Sequence, residues 1–353
     1  MIKIPFLYAL AFSIPLLATS CKSTSGRLAD STVSSAESDA DERLTALAKR
    51  FAPQIQFHRD EKFFPISIEE FAIHTHIILD GREVLDSVLR GGSLPWNPDN
   101  YYVATREPLV GPNIPQDWMA GSDPRKGTAP MLYSIHDAGN NTYNIQYMPF
   151  FAWNEGKNVC YSLAPFDMCL IKRVMMGNHV GDWESFTIRV KDDKVVAIRL
   201  GAHEDRYTIS DMSKIKFEGE HAVMYSARGS HGFYEKPANV TYQKIPTGDK
   251  LIDEATGGIP WFTWDNLVRV NENEGWAQYR GHWGNSVMGK AACDLTPIHI
   301  IDTLRKGWNP FGRLFGSKME TSAEVCKRLG LDKEFELGPG PWWQNWEKDK
   351  DGF

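Results

Sequence analysis

The 353 residues hold only five cysteines, and no two of them stand in a C-x-x-C pair, so the spacing argues against a structural zinc module. No Lys/Arg run interrupts a net charge of −6, which disfavours nucleic acid as a partner. Beyond the N-terminus no apolar stretch is long enough to span a bilayer as a helix. Internal repeats are absent, and helical periodicity is scarce after residue 90 except at roughly 297–306 and 320–329. What the chain does have is aromatic mass. Twelve Trp, twelve Tyr and eighteen Phe within 42% hydrophobic residues suit a packed β protein better than a helical bundle.

The first residues read as an export signal. Met1-Ile2-Lys3 supplies a short positive start, and Ile4 to Ala18 is nearly unbroken apolar sequence, too short for a comfortable span. Leu17-Ala18-Thr19-Ser20-Cys21 then resembles a bacterial lipoprotein box, which implies lipidation of the Cys21 thiol. Cleavage after Ser20 without lipidation, giving a secreted protein, is the competing reading. Lys22 lacks the aspartate associated with inner-membrane retention, so the expected place is the cell envelope, as an outer-membrane lipoprotein, or otherwise outside the cell. Setting Cys21 aside leaves an even set of four. Cys160 with Cys169 and Cys293 with Cys326 is the nearest-neighbour pairing, one of three connectivities, and free buried thiols are the alternative.

Residues 22–41 are rich in Ser, Thr, Ala, Asp and Glu and are expected to form a flexible tether. A short amphipathic helix then starts at Asp41, with Leu44, Leu47 and Ala48 on one side. Strands are expected at 53–58, 131–135, 142–151, 182–190, 194–202, 221–227 and 239–244, with Asp192-Asp193 as a hairpin turn. Strands recurring without alternating helices predict a mainly β fold: an antiparallel β-sandwich with peripheral helices and long loops over 42–295, and a helical or loop extension over 296–353.

The segment richest in chemistry is Gly177-Asn178-His179-Val180-Gly181-Asp182-Trp183-Glu184. On a strand, Asp182 and Glu184 share the face of Phe186, Ile188 and Val190, with side chains ~7 Å apart. Two like charges heading a buried stripe demand compensation by a cation, an arginine or solvent. His179, set in a turn just upstream, could fold back towards them. Hard oxygen ligands plus an imidazole suit Ca²⁺, Mg²⁺ or Mn²⁺. A second segment, Tyr225-Ser226-Ala227-Arg228-Gly229-Ser230-His231-Gly232-Phe233-Tyr234, is a poor nucleophile motif, because adjacent Ser and His cannot pair without strain. His231 fits better as a further ligand or its support. Tyr147-Met148-Pro149-Phe150-Phe151 reads as a strand end with rim aromatics.

Taken together, Phe51-Ala52-Pro53 with Phe57-His58-Arg59-Asp60-Glu61-Lys62-Phe63-Phe64-Pro65, the Gly177–Glu184 segment, Ser226–Tyr234 and Tyr279-Arg280-Gly281-His282-Trp283-Gly284 resemble the vacuolar protein sorting-associated protein 62 family. More distantly, the chain resembles the necrosis- and ethylene-inducing cytolysins, β-sandwiches that hold a divalent ion and bind glycosylated sphingolipid heads. That second resemblance implies a metal site of His179, Asp182, Glu184 and His231, with Asp167 as a candidate upstream acid. Two positions depart from the cytolysin heptapeptide: Val180 replaces an arginine and Gly181 a second histidine.

The sequence thus favours an exported, lipid-tethered β-sandwich that binds a divalent cation and, through it, a membrane lipid headgroup or glycan, with Trp183, Phe233 and Trp283 as candidate rim aromatics. Two alternatives compete with it. One is a metal-dependent hydrolase of the envelope using Glu184 or His231 as base. The other is a purely structural lipoprotein whose acidic pair is neutralised by arginine.

Overall fold

The computed structural model describes residues 29–95, 101–107, 115–159, 174–203, 205–244 and 250–284. The signal segment, all five cysteines, Asp167 and the extension over 296–353 lie outside the described residues. The chain divides into two units, Met1–Arg43 and Leu44–Phe353. Helix α1 runs from Ala29 to Phe51, so most of the expected tether is helical and the helix begins well before Asp41. A segment without an apolar stripe cannot build a core, but its alanines and acidic residues propagate a helix already nucleated in the following turns. Those later turns are anchored: Ala48 and Phe51 are fully buried, and the Tyr147 hydroxyl donates to the Ala48 carbonyl at 2.7 Å.

The fold is mainly β, as the aromatic and β-branched runs predict. One sheet has the order β14 (Lys216–Glu218), β15 (His221–Ser226), β1 (Gln54–His58), β19 (Gly258–Phe262), with β16 (Phe233–Tyr234) also pairing β15. A second has the order β13 (Asp205–Ile209), β12 (Lys194–Ala202), β11 (Phe186–Lys191), β6 (Thr142–Met148), β5 (Met131–Gly139), β20 (Leu267–Arg269). Alternate residues of both sheets meet in one core: Ile55, Phe57, Met224 and Trp261 from the first, Tyr133, Ile145, Ile188 and Leu200 from the second. This is the sandwich layer. The sheets are mixed rather than wholly antiparallel, because β1 joins β15 and β20 joins β5 in parallel. Both parallel pairs connect segments far apart in sequence, the long connection that parallel pairing requires.

Around this layer lie helix α2 (Ile68–Ile73), a three-stranded sheet of β3 (Arg82–Leu85), β2 (Thr75–Leu79) and β4 (Tyr101–Thr105), and three two-stranded ribbons. The ribbons are β7 (Phe150–Asn154) with β10 (His179–Trp183), β8 (Lys157–Val159) with β9 (Val174–Met176), and β17 (Ala238–Lys244) with β18 (Lys250–Ala255). Among the described residues no helix is long and apolar enough to cross a membrane.

Two strands expected to run straight are broken, and at the same level. The 142–151 run divides at Pro149 into β6 and β7, and the 182–190 run divides at Glu184-Ser185 into β10 and β11. Their ladder keeps one register across the break, from Phe186 opposite Tyr147 to Trp183 opposite Phe150, with the Glu184 N–H donating to the Pro149 carbonyl at 3.2 Å. Proline has no N–H to return that bond, so the hairpin bends there. Beyond the bend its residues feed a second core, where Phe150, Ala152, Trp153, Val180 and Trp183 pack with Phe71, Trp276 and Trp283. Trp183, Phe233 and Trp283, the candidate rim aromatics, are therefore core residues, 3%, 0% and 1% exposed. Tight packing across this bend, and not a ligand, claims their faces: Trp183 meets Trp283 edge-on at 5.2 Å and Phe233 meets Phe186 at 4.8 Å.

Gly181 fits here because nothing larger can. Its φ is +70°, and a Cβ would stand 1.8 Å from the Trp283 carbonyl oxygen. Gly181→Ala should therefore lower stability by ~2–4 kcal/mol through left-handed strain and backbone overpacking. Urea unfolding that gives an unchanged midpoint would remove this account of the bend.

Candidate functional site

Asp182 enters the bend on β10, opposite Phe151 of β7, and is almost wholly buried. Its partner comes from the turn after β15. There the Ala227 and His231 N–H groups donate to the Gly232 and Ala227 carbonyls, both at 2.9 Å, and Gly229 and His231 adopt positive φ of 73° and 58°. That tight turn drives the His231 ring into the interior. The ring lies flat on Phe151, centroids 3.7 Å apart and planes 2° apart, with Nδ1 2.8 Å from Asp182 Oδ2.

A third residue closes the arrangement. Glu61 follows β1, and its Oε1 accepts from the Lys62 and Phe63 N–H groups while Oε2 accepts from the Gly229 N–H at 2.7 Å. Its Oε1 also stands 4.0 Å from His231 Nε2, which is buried and has no hydrogen-bond partner. Two enclosed carboxylates thus flank one imidazole on opposite edges. With the ring and both carboxylates enclosed, these contacts are far less screened than an ordinary surface pair.

Of the four expected metal residues, the structure brings Asp182 and His231 together. His179 is half-buried at the start of β10, and its Nδ1 lies 3.1 Å from the Gly181 carbonyl. Glu184 is buried beyond the bend and bears electrostatically on the Tyr234 hydroxyl. Among the described residues no three His, Cys, Asp or Glu side chains form a group spaced to hold a metal. The side chain that pairs with Asp182 is a histidine, not the arginine of the structural alternative.

A neighbouring cluster went unread in the sequence. Ser230, next to His231, turns the other way and donates to Asp253 Oδ1 at 2.5 Å. The same carboxylate meets Tyr234 Oη and His203 Nε2 through Oδ2, both at 2.8 Å, and Lys157 Nζ at 3.5 Å. Burial alone would push the Asp253 carboxyl up, but the His203 bond and charge, with Lys157 and Ser230, outweigh it and hold its pKa below the usual value. Burial and the adjacent Asp253 charge push the Tyr234 hydroxyl up. The missed signal was parity. In β18 Leu251, Asp253 and Ala255 alternate inward, so an acid occupies a core-facing position.

Removing one partner of a buried, hydrogen-bonded pair strands the other. His231→Ala should cost ~3–5 kcal/mol, whereas Asp60→Ala, at an exposed carboxylate close by, should change stability by less than about 1 kcal/mol. Equal midpoints for the two variants in denaturant titration would contradict the geometry. For Asp253 the depressed pKa makes its stabilisation complete above the unfolded value of 3.8 and lost as pH falls through the folded value. Asp253→Asn should accordingly flatten the acid limb of stability below about pH 4, and an unaltered limb would show that Asp253 does not carry it.

A family model described as "Vacuolar protein sorting-associated protein 62" matches residues 139–298. A curated relative from Saccharomyces cerevisiae (strain ATCC 204508 / S288c) bears the same description and is 23% identical over 350 residues, covering 84% of this chain and 68% of its own length. Solved structures similar to the chain include NLPPya in complex with glucosamine, at a TM-score of 0.32 and 15% identity. Another is Necrosis and Ethylene inducing Protein 2 from the causal agent of cocoa's Witches Broom disease, at 0.29 and 14%. Each covers 66% of this chain and 76% of the solved one. The stretch that carries the bend, the Asp182–His231 contact and Asp253 is the stretch over which this chain matches the vacuolar protein sorting-associated protein 62 family.

Proposed function

We propose that the chain is an exported, lipid-anchored β-rich binding protein. In this reading it takes a divalent cation at the buried His231 centre, and the ion would organise the loops that meet a membrane lipid headgroup or glycan. The observation that carries the reading is the His231 Nε2 atom, sealed from water and without a hydrogen-bond partner. With Asp182 on Nδ1, the ring is held with its other nitrogen directed at Glu61, the carboxylate–histidine arrangement that orients imidazole ligands in metal sites. The 4.0 Å gap from Nε2 to Glu61 Oε1 is too wide for a hydrogen bond. It is about the width across a small divalent ion with ~2.1 Å bonds.

The donor chemistry fits. Glu61 and Asp182 set two enclosed carboxylates on either edge of one imidazole, and hard oxygens with one nitrogen suit Mg²⁺, Mn²⁺ or Ca²⁺. His231 and Glu61 would hold the ion, and Asp182 would fix the ring. The buried aromatics Trp183, Phe233 and Trp283 offer no stacking platform for a headgroup or glycan. The tether rests on Met1–Cys21 and its likeness to a lipoprotein box.

Two measurements test this reading. Saturating Mn²⁺, Mg²⁺ or Ca²⁺ should raise the melting temperature of the full chain, with ~2.7 kcal/mol of stabilisation at 100 times Kd, and Glu61→Gln should abolish the rise. A melting temperature indifferent to all three ions and to chelator would eliminate the cation. In a bacterial host, Cys21→Ser should release the protein from the membrane fraction, and a wild-type protein already soluble would eliminate the anchor.

A further inference from the structure

His203 and His231 are built alike. Each adopts a left-handed backbone, with φ of 57° and 58°, a conformation that few residues other than Gly take, histidine more readily than most. Each places a ring nitrogen 2.8 Å from a fully buried or nearly buried carboxylate, Asp253 or Asp182. Each ring is stacked on an aromatic side chain at 3.7 Å, Tyr242 or Phe151. They differ in one respect: the His231 side chain is 0% exposed, whereas that of His203 is 29% exposed.

We propose that the open copy is an acid–base site that hydrolyses esters. Asp253 is saturated by donors from Ser230, Tyr234, His203 and Lys157, so it stays ionised and holds the His203 Nε2–H in place. Nδ1 is then the basic nitrogen, and among the described residues nothing bonds it. The backbone strain of His203 at the turn after β12 is maintained by these contacts, as strain at reactive positions commonly is. Lys157, 15% exposed and donating to the Arg228 carbonyl, places a cation 3.5 Å from Asp253 Oδ1, on the other oxygen of the carboxylate that holds His203.

The step balances without a cofactor. His203 Nδ1 takes a proton from water as the water oxygen adds to the ester carbonyl carbon. The tetrahedral intermediate collapses with cleavage of the carbon–oxygen bond to the alcohol. The leaving oxygen takes the proton back from Nδ1, so ester and water become acid and alcohol. This proposal does not rest on the cation reading, because none of its residues belongs to the His231 centre.

The test uses p-nitrophenyl acetate and p-nitrophenyl butyrate with the full-length chain in the presence of chelator. His203→Gly suits the positive φ and leaves a ring-sized gap between Tyr242 and Asp253. It should lower kcat by ~10²-fold or more, and added imidazole should restore a measurable part of the loss, over and above the hydrolysis that imidazole gives with no protein present. His76→Gln, at a half-buried histidine paired with Glu83 elsewhere on the protein, should leave turnover unchanged. Wild-type turnover no faster than that of His203→Gly would overturn the proposal, and so would a loss that imidazole does not repair.

Discussion

The contact between Asp182 and His231 joins three stretches of chain that sequence keeps far apart. Asp182 belongs to the bent hairpin, His231 to the turn after β15, and Glu61, across the ring, to the segment leaving β1. Their burial makes the contact obligatory rather than decorative, because a carboxylate removed from water needs a partner with opposite charge or a donated hydrogen bond. Phe151 completes the constraint from the first core, giving the imidazole a flat wall and leaving its two edges to the acids.

Much of the surrounding architecture serves that junction. The bend at Pro149 and Glu184 lets one hairpin contribute Ile145 and Ile188 to the sandwich core and Trp153 and Trp183 to the second core. Gly181 admits the Trp283 carbonyl to within a distance no side chain would permit, which is also the physical reason a histidine cannot occupy that position in this chain. Ser230 and His231, adjacent in sequence, are divided between two acids, so the turn couples the Asp182 and Asp253 networks through one peptide bond.

Much of the fold was legible. The β12 strand at Lys194–Ala202 and the Asp192-Asp193 turn match their expected positions, the latter with both residues at positive φ as a tight hairpin needs. The mainly β class followed from aromatic and β-branched runs. The breaks at Pro149 and Glu184 were not anticipated, since period-two alternation continues through them and only the missing proline N–H marks the place. Strands such as Thr75–Leu79, Tyr101–Thr105 and Lys250–Ala255 also went unread, the last because a buried aspartate interrupts its apolar face.

Sequence by itself determined the residue types at the site: an acidic pair after Gly181 and a Ser-His in a glycine-flanked turn, with an export-like start ahead of them. It could not decide which of those groups meet. Spacing along a strand fixes which face a side chain takes, but the partner on that face comes from another part of the chain, brought there by the packing of two cores. Only the tertiary structure chose His231 over an arginine for Asp182 and placed Glu61 across the same ring. It also joined Asp253 to His203, fifty residues away, because buried charge is compensated by what lies near in space and not by what lies near in sequence.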